Sequence, residues 1–303
     1  MQIGSRRCLI NPHSGTADHA DRVRRHMEAR GFAVTETDSA DHTVELAARA
    51  GRERVSTLAV CGGDGTINDA LAGLHRADAL GDVTLAVLPA GTANLLAGTL
   101  GIDSLDHGIE LSDTGTVRAL DVGVAAGDDD ESTEPFLVSC IAGLPADAST
   151  ATSDDLKERF GTLAFLVAGA RETMAFDGLD VRVESPSSSW AGTATCVLVG
   201  NARKFVEEGG QADMEDGRFD VVVVEAMPAS GLAVEAAVHR LLGEETEGVT
   251  HFRAGELHVE SGDDEPIAFS RDGEFASHRR LDLRTLSGAL DVRVGDGYVP
   301  HPE

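Results

Sequence analysis

One stretch of nine residues limits what this chain can fold into. Residues 61–69, Cys-Gly-Gly-Asp-Gly-Thr-Ile-Asn-Asp, follow an apolar, β-branched run at residues 55–60. Residues 70–74 continue with apolar side chains at helical spacing, so the pattern predicts a strand, a glycine-rich turn and a helix. Glycines let a ligand lie against bare backbone, and the free amides at a helix start favour an anion such as a phosphate.

Asp64 is the unusual residue in this stretch. A carboxylate inside a phosphate cradle repels its ligand unless it holds a metal, a hydroxyl or a proton. The stretch therefore favours chemistry on a phosphate over binding alone. Taken in isolation, a tight connection between a strand and a helix explains the same residues. Neither a Walker loop nor a GxGxxG fingerprint is present.

Strands and helices alternate through the first part of the chain, which is typical of a parallel sheet with helices on both faces. The pattern predicts strands at residues 7–10, 32–37, 55–60 and 83–88. Ligands bind such sheets at the carboxyl ends of the strands. Four polar segments fall at those ends: residues 11–15, Thr37, residues 62–69 and residues 89–94. Asn11, Ser14 and Thr92 can either cap the helices that follow them or contact a ligand.

The second part of the chain changes to short strands with little helix, which predicts a mostly antiparallel β domain beginning near residues 121–124. Strands are predicted at residues 117–126, 136–140, 179–184, 190–200, 218–225, 257–259, 266–269, 280–284 and 289–294. Helices are predicted at residues 103–112, 153–176 and 231–242. The acidic segment 127–135 is interpreted as a solvated loop, with metal binding as the alternative.

Composition excludes several classes of function. The net charge is -27, lysine occurs only at positions 157 and 204, and nucleic-acid binding needs a basic surface that this chain lacks. Acid spread along the whole chain favours a cytoplasm of high salt, where screening removes self-repulsion, with an ordinary acidic cytosolic protein as the alternative. No run approaches the length of a membrane helix and no signal peptide is apparent, so we expect a cytoplasmic protein. The four cysteines have no zinc-type spacing and are expected to be buried thiols.

Two polar turns in the second part also carry carboxylates. The segment 213–218, Asp-Met-Glu-Asp-Gly-Arg, precedes a strand, and Asp272-Gly273-Glu274 follows another. In so acidic a chain, each could equally be a solvated turn.

Together these motifs resemble the diacylglycerol-kinase and sphingosine-kinase superfamily, in particular its soluble bacterial and archaeal lipid-kinase branch. The resemblance is carried, in order, by residues 11–15, 62–68, 88–94, 200–201, 216–217 and 272–274. It implies an N-terminal phosphofructokinase-like three-layer α/β domain with a parallel sheet (1–122), then a mostly antiparallel β-sandwich (123–290) for the acceptor. A tail (291–303) would return to the first domain. ATP and Mg²⁺ would lie in the cleft between the domains.

The resemblance also implies roles for individual residues. Glu274 would accept the proton of the substrate hydroxyl, with Asp64 and Asp272 as further catalytic candidates. Magnesium would bind at the turn formed by Asp213, Asp216 and Arg218. The implied nucleotide contacts are Asn11, Thr37, Gly62, Gly63, Asp64, Gly65, Thr66, Ile67, Asn68, Asp69, Gly91, Thr92 and Asn94.

Two departures bear on the acceptor pocket and the metal turn. Residues 206–208 carry two acids ahead of glycines, and the proline that usually precedes the magnesium turn is absent before Asp213. The expected partner is a lipid met at a membrane surface by peripheral contact, and a homodimer is compatible with the resemblance. Two alternatives stay open: an NAD kinase, which shares the Gly-Gly-Asp-Gly turn, and a regulator that binds nucleotide without turnover.

Overall fold

A computed structural model of the 303-residue chain describes residues 5–128, 133–143, 178–202, 212–226 and 248–302. The helices predicted at 153–176 and 231–242 and the acidic run at 206–208 lie outside these residues. The chain divides into two compact units. The first unit holds the described residues that fall within 1–122, 134–137 and 286–300, and the second unit holds those within 123–133, 138–285 and 301–303.

The first unit contains a parallel sheet whose strand order is β4-β3-β1-β2. Its elements are β1 (Arg6–Ile10), α1 (Ala20–Ala29), β2 (Ala33–Glu36), α2 (Ala40–Arg52), β3 (Thr57–Gly62), α3 (Asp64–Arg76), β4 (Thr84–Pro89), α4 (Leu95–Thr99) and α5 (Leu105–Thr114), with a short 3₁₀ helix at Leu80–Asp82. The end of a later strand joins this sheet beside β4, where Val292 pairs with Leu85 in parallel.

Apolar residues at strand and helix spacing build the core of this unit. Every residue of β3 is buried, and α1 places Val23 and Met27 in one cluster with Phe32 and Ile109. Burial of such side chains supplies about 25 cal/mol per Å² of apolar surface removed from water. α2 and α3 pack so closely that a Cβ on Gly73 would lie 2.3 Å from the Val44 carbonyl oxygen.

The register of the sheet brings the carboxyl ends of three strands side by side. Ile10 pairs with Cys61, and Gly62 pairs with Pro89. The segments that follow β1, β3 and β4 therefore leave the sheet at the same edge, as parallel strands require.

The remaining strands are β5 (Thr116–Gly127), β6 (Glu134–Phe136), β7 (Ser139–Ala142), β8 (Leu179–Glu184), β9 (Ser189–Gly200), β10 (Phe219–Glu225), β11 (Val249–Ala254), β12 (Glu256–Ser261), β13 (Ile267–Arg271), β14 (Glu274–His278) and β15 (Arg280–Val294). The strands of the second unit pair in antiparallel fashion, in the order β14-β13-β7-β9-β8-β12-β15, with β10 on β9 and β11 on β10. β5 and β15 contribute residues to both units. The predicted fold class, α/β followed by β-sandwich, is confirmed.

Two strand predictions were wrong in detail. The strand predicted at 136–140 is interrupted, because Leu137 and Val138 separate β6 from β7. The strands predicted at 280–284 and 289–294 are one strand, β15. Its exposed Ser287 and Gly288 look like a loop in the sequence, and Gly288 does take a left-handed conformation (φ 56°), but the strand continues on both sides of it.

All four cysteines are buried free thiols. Burial raises the pKa of Cys61 and of Cys140 to about 12 and raises that of Cys8 further. Within the described ranges, none of the helices combines the length and the apolarity that crossing a bilayer demands.

Candidate active site

The glycine turn is shorter than the sequence predicts. β3 ends at Gly62, Gly63 is the N-cap residue, and α3 already begins at Asp64, so residues 64–69 form the first turns of the helix and not a loop. The first backbone bond of the helix runs from Ile67 N to Gly63 O, at 3.2 Å. The amides of Asp64, Gly65 and Thr66 therefore have no acceptor within the helix, which is the arrangement that favours an anion.

Backbone packs directly on backbone around this turn. A Cβ on Gly91 would lie 2.4 Å from Gly63 Cα, and one on Gly15 would lie 2.4 Å from the Ala90 carbonyl oxygen. Two main-chain hydrogen bonds tie the same segments together, Asn11 N to Cys61 O and Ala90 N to Gly62 O, both at 2.9 Å. Three segments of the chain therefore share one surface that leaves no space for side chains.

Gly65 is the open point of this surface. It is exposed, and a Cβ built on it would meet nothing within 4 Å. We call the surface formed by Gly15, Gly63, Gly65 and Gly91 the glycine cup.

Asp64 does not project freely into the glycine cup. Its two carboxylate oxygens accept hydrogen bonds from Leu95 N and Leu96 N, each at 3.1 Å, at the start of α4.

Thr92 was interpreted as a cap of this helix or a ligand contact, and the capping alternative was wrong. The N-cap residue is Asn94, in a left-handed conformation with φ 47°, and its side chain bonds to Gly91 N and O. Thr92 is exposed.

The other predicted nucleotide contacts fall into an accessible and a buried group. Gly63, Asn11, Asp69, Gly91 and Asn94 are partly accessible. Thr37, Gly62, Thr66, Ile67 and Asn68 are buried. Thr37 donates to Ile10 O at 3.4 Å, and Thr66 Oγ1 accepts from Asn11 Nδ2 at 2.9 Å. Both hydroxyls therefore stabilise the chain where β1 ends. The carbonyl oxygen of the Asn68 side chain is buried without a hydrogen-bond partner.

Glu274 is presented by a tight hairpin in the second unit. Asp272 (φ 46°) and Gly273 (φ 94°) form the two-residue connection between β13 and β14, a geometry typical of a type I′ turn. Asp272 Oδ1 accepts from Val138 N at 3.0 Å and from Ser139 N at 2.8 Å, and Asp272 N donates to Ser139 O at 2.9 Å. The side chain of Asp272 thus anchors the hairpin.

The carboxylate of Glu274 itself is half-exposed. Arg271 Nη2 lies 3.3 Å from Glu274 Oε2, across the last residue pair of the hairpin. Of the three acids predicted to be catalytic, Glu274 is the one whose carboxylate is not bonded to main-chain amides. It is also the most exposed of the three residues.

The predicted magnesium turn is a cluster of mixed charges. Asp216 Oδ1 accepts from Arg218 N at 2.9 Å, and Asp213 accepts from Glu215 N and from His301 Nδ1, both at 2.8 Å. Burial, followed by the neighbouring carboxylate of Asp213, raises the pKa of Asp216. A divalent cation would relieve both effects, and carboxylate and carbonyl oxygens are the donors that Mg²⁺ prefers. Among the described residues, no group of three or more His, Cys, Asp or Glu side chains is arranged to hold a metal.

Two buried carboxylates escaped the sequence analysis. Asp121 is fully buried in the first unit and accepts from Gly288 N at 2.7 Å. Asp220 is 4% exposed in the second unit and bonds His251 at 2.8 Å and Arg253 at 3.1 Å. Both residues interrupt apolar strand sequences. An acid inside such a run indicates a buried carboxylate that needs a hydrogen-bond partner, so the sequence did contain a signal for them.

The two parts of the chain match known families. The sequence pattern described as "Diacylglycerol kinase catalytic domain" matches residues 6–125. The pattern described as "YegS C-terminal NAD kinase beta sandwich-like domain" matches residues 138–294, more than half of the chain. The chain belongs to this lipid-kinase family.

Individual relatives agree with that assignment. A protein of Streptococcus pneumoniae, provisionally named a lipid kinase, is 24% identical over 293 residues, covering 94% of this chain and 96% of its own. A "Probable lipid kinase YegS-like" of Yersinia pestis is 27% identical, covering 79% of each chain. A crystal structure described as a diacylglycerol kinase from Bacillus anthracis superposes with a TM-score of 0.74 at 19% identity, over 99% of this chain and all of that one. The last comparison shows the shared fold.

Proposed function

We propose that this member of the lipid-kinase family uses ATP to phosphorylate a hydroxyl of a diacylglycerol-like, isoprenoid or sphingoid lipid. The observation that carries the proposal is the glycine cup, where the first amides of α3 have no acceptor inside the helix and Gly65 is exposed with nothing within 4 Å of its Cβ position. Main-chain donors at a helix start suit the β- and γ-phosphates of a nucleotide. Phosphoryl transfer depends on such positioning and charge stabilisation more than on covalent catalysis.

Glu274 is proposed to serve as the general base. The proton of the acceptor hydroxyl passes to its carboxylate while the hydroxyl oxygen bonds to the γ-phosphorus and the bond to ADP breaks. Its exposure and its place at the tip of an anchored hairpin support this role. The side chain of Asp216, with backbone oxygens of Asp213 and Arg218, would hold Mg²⁺, which neutralises phosphate charge when bound.

The acceptor is proposed to be met at a membrane surface by peripheral contact. The net charge of -27 opposes approach to anionic headgroups at low salt. In molar salt the Debye length falls to about 3 Å, which removes most of that repulsion. The cytoplasmic, high-salt setting belongs to the same proposal.

One experiment separates the proposed function from its two alternatives. The purified chain is incubated in molar KCl with ATP labelled at the γ-phosphate, Mg²⁺ and either a total lipid extract or NAD, with Glu274→Gln as the blank. Label in the organic phase supports the lipid kinase. Label in NADP would establish the NAD kinase instead, an outcome included because the second family pattern is named after NAD kinase. ATP binding in calorimetry without label in either product would leave a nucleotide-binding regulator.

A further inference from the structure

The carboxylate of Asp64 is engaged on both of its oxygens. Oδ2 accepts from Leu95 N and Oδ1 from Leu96 N, each at 3.1 Å. These two amides open α4 and have no acceptor inside that helix. Hydrogen bonds from main-chain amides to a carboxylate are stronger than neutral ones. A carboxylate held in this way is fixed in position, and part of its charge is compensated before any ligand arrives.

The helix α4 has no local alternative to this contact. Its N-cap residue, Asn94, makes no capping bond, because its side chain turns back to Gly91 N at 2.9 Å and Gly91 O at 2.8 Å. Two neighbouring helices are capped locally in the usual way, α2 by Ser39 and α5 by Ser104. For α4, the acceptor comes from a residue 31 positions earlier in the chain.

The contact joins two of the three segments that form the glycine cup. Asp64 is the first residue of α3, next to Gly63, and the amides that it holds follow the segment that contains Gly91. A Cβ on Gly91 would lie 2.4 Å from Gly63 Cα, so the two backbones are already in contact. Asp64 therefore fixes the distance between the segments of the glycine cup that contain Gly63 and Gly91.

The same device occurs twice more in the described residues. Asp272 accepts from the successive amides of Val138 and Ser139, and Asp128 accepts from those of Arg279 and Arg280. In each case one aspartate binds two consecutive amides of a distant segment. The device anchors backbone in places where no nucleotide is expected, so it does not require a ligand.

We propose that Asp64 is a positioning residue, which holds the segment around Gly91 against Gly63 so that the glycine cup keeps the shape that nucleotide phosphates require. In this proposal Asp64 holds no metal and accepts no proton from the acceptor. The part that concerns nucleotide rests on the function proposed above. The contact between Asp64 and the first amides of α4 does not depend on that function.

Hydrogen exchange of single amides, measured by NMR on the full chain without nucleotide or Mg²⁺, tests the contact directly. The variant Asp64→Asn keeps the shape of the side chain but replaces one acceptor oxygen with a donor. We expect the amides of Leu95 and Leu96 to exchange at least about tenfold faster in this variant. The matched control is Ser104→Ala, which removes the cap of α5 (His107 N donates to Ser104 Oγ at 3.2 Å) and should leave the exchange of Leu95 and Leu96 unchanged.

Kinetics then separate positioning from metal binding. A positioning role predicts that Asp64→Asn raises KM for ATP about tenfold, with kcat and the Mg²⁺ concentration for half-maximal rate changed much less. Asp64→Glu, which keeps both acceptor oxygens, should restore part of the protection of Leu95 and Leu96. Unchanged exchange in Asp64→Asn together with a raised Mg²⁺ requirement would overturn the proposal in favour of a metal ligand.

The wild-type chain keeps the proposal testable if Asp64→Asn fails to fold. In the nucleotide-free protein, the amides of Leu95 and Leu96 should be protected relative to that of Gly65, an exposed residue whose amide has no acceptor inside α3. Exchange of all three at the unprotected rate would show that the contact does not exist. If the chain phosphorylates no lipid, the exchange data still stand, so failure of the proposed function and failure of the contact are distinguishable.

Discussion

The two turns that carry the proposed chemistry are built by opposite means. The glycine cup depends on missing side chains, and it presents main-chain amides to a ligand. The hairpin at Asp272 depends on a side chain, whose carboxylate binds two main-chain amides, and it presents the carboxylate of Glu274. A surface of backbone donors suits a phosphate, whereas an anchored but exposed carboxylate suits a proton. The contrast predicts that the first turn cannot accept added atoms where its backbone segments touch, at Gly63 and Gly91, and that the second cannot lose polar ones.

The largest expected effect is on turnover. Glu274→Gln preserves the size of the side chain but removes the base, so kcat should fall about 10²- to 10⁴-fold while the Kd for ATP stays unchanged. Transfer of label to lipid and calorimetry with ATP measure the two quantities. Ser277→Ala, on the same strand, is the control and should retain full activity. Retained turnover in Glu274→Gln would remove this residue from the mechanism.

The second-largest effect is expected on stability, at the close backbone contact of Gly91 in the glycine cup. In Gly91→Ala the new methyl group would lie 2.4 Å from Gly63 Cα, so we expect the free energy of unfolding to fall by about 1–3 kcal/mol and ATP binding to be lost. Gly98→Ala adds the same methyl group where nothing lies within 4 Å. That control should be as stable as the wild type or more stable by about 0.5–1 kcal/mol. Urea unfolding in molar KCl compares them, and equal stability of the two variants would contradict the packing of the glycine cup.

The corresponding change on the hairpin side removes polar atoms. Asp272→Ala takes away the acceptor of two amides, which should lower the free energy of unfolding by about 1–3 kcal/mol. It should lower kcat through misplacement of Glu274 and leave the affinity for ATP unchanged. Asp263→Ala is the matched control, since Asp263 accepts from Ser261 Oγ at 2.8 Å and Glu265 N at 3.1 Å in a turn away from Glu274. An equal loss of kcat in both variants would argue against a specific anchor.

A smaller effect tests whether the open point of the glycine cup is used. Gly65→Ala meets no protein atom, so the stability of the chain should be unchanged or slightly higher. If nucleotide phosphates lie against Gly65, the added methyl group should weaken ATP binding about tenfold. Calorimetry on Gly65→Ala and Gly98→Ala gives the comparison. Equal affinities would move the phosphates away from Gly65.

The smallest effect concerns pH. Burial opposes ionisation of Asp128, but the hydrogen bonds from Arg280 N and Arg279 N outweigh it and lower the pKa of Asp128. Its contribution to stability is therefore present above about pH 4 and is lost as the pH falls through the lowered value. Asp128→Asn should be less stable than wild type at pH 7 and should show a shallower loss of stability below pH 4. Parallel acid titrations followed by circular dichroism measure this, and superimposable curves would exclude the contribution of Asp128.

The sequence was sufficient for the fold class and for most elements, because the apolar runs and helical spacing are strong and local. It was not sufficient for the ends of elements. α3 begins at Asp64 because glycine and aspartate tolerate a helix start as readily as a turn, and no local signal separates the two. Capping of α4 by Thr92 stayed an open alternative in the sequence, because the acceptor for the first amides of this helix, Asp64, lies far away along the chain.

In the candidate site, too, the sequence predicted local features but not long-range contacts. The acids at positions 64, 272 and 274 were all identified from the sequence, but residue type alone could not tell anchors from the exposed carboxylate. Only the partners of each oxygen distinguish them: main-chain amides for Asp64 and Asp272, and Arg271 for Glu274. Long-range hydrogen bonds of this kind leave no periodic pattern for a sequence to reveal.

The buried cysteines give each unit a built-in reporter of local opening. Cys8 and Cys61 lie in the first unit, Cys140 and Cys196 in the second, and all four thiols are shielded in the closed state. A thiol reagent reacts with the thiolate, which the raised pKa values of Cys8, Cys61 and Cys140 make scarce, and all four thiols are buried, so labelling requires the sheet to open. The labelling rate of each cysteine, followed by mass spectrometry of alkylated peptides, would therefore measure how often the core of each unit opens. No engineered probe is needed.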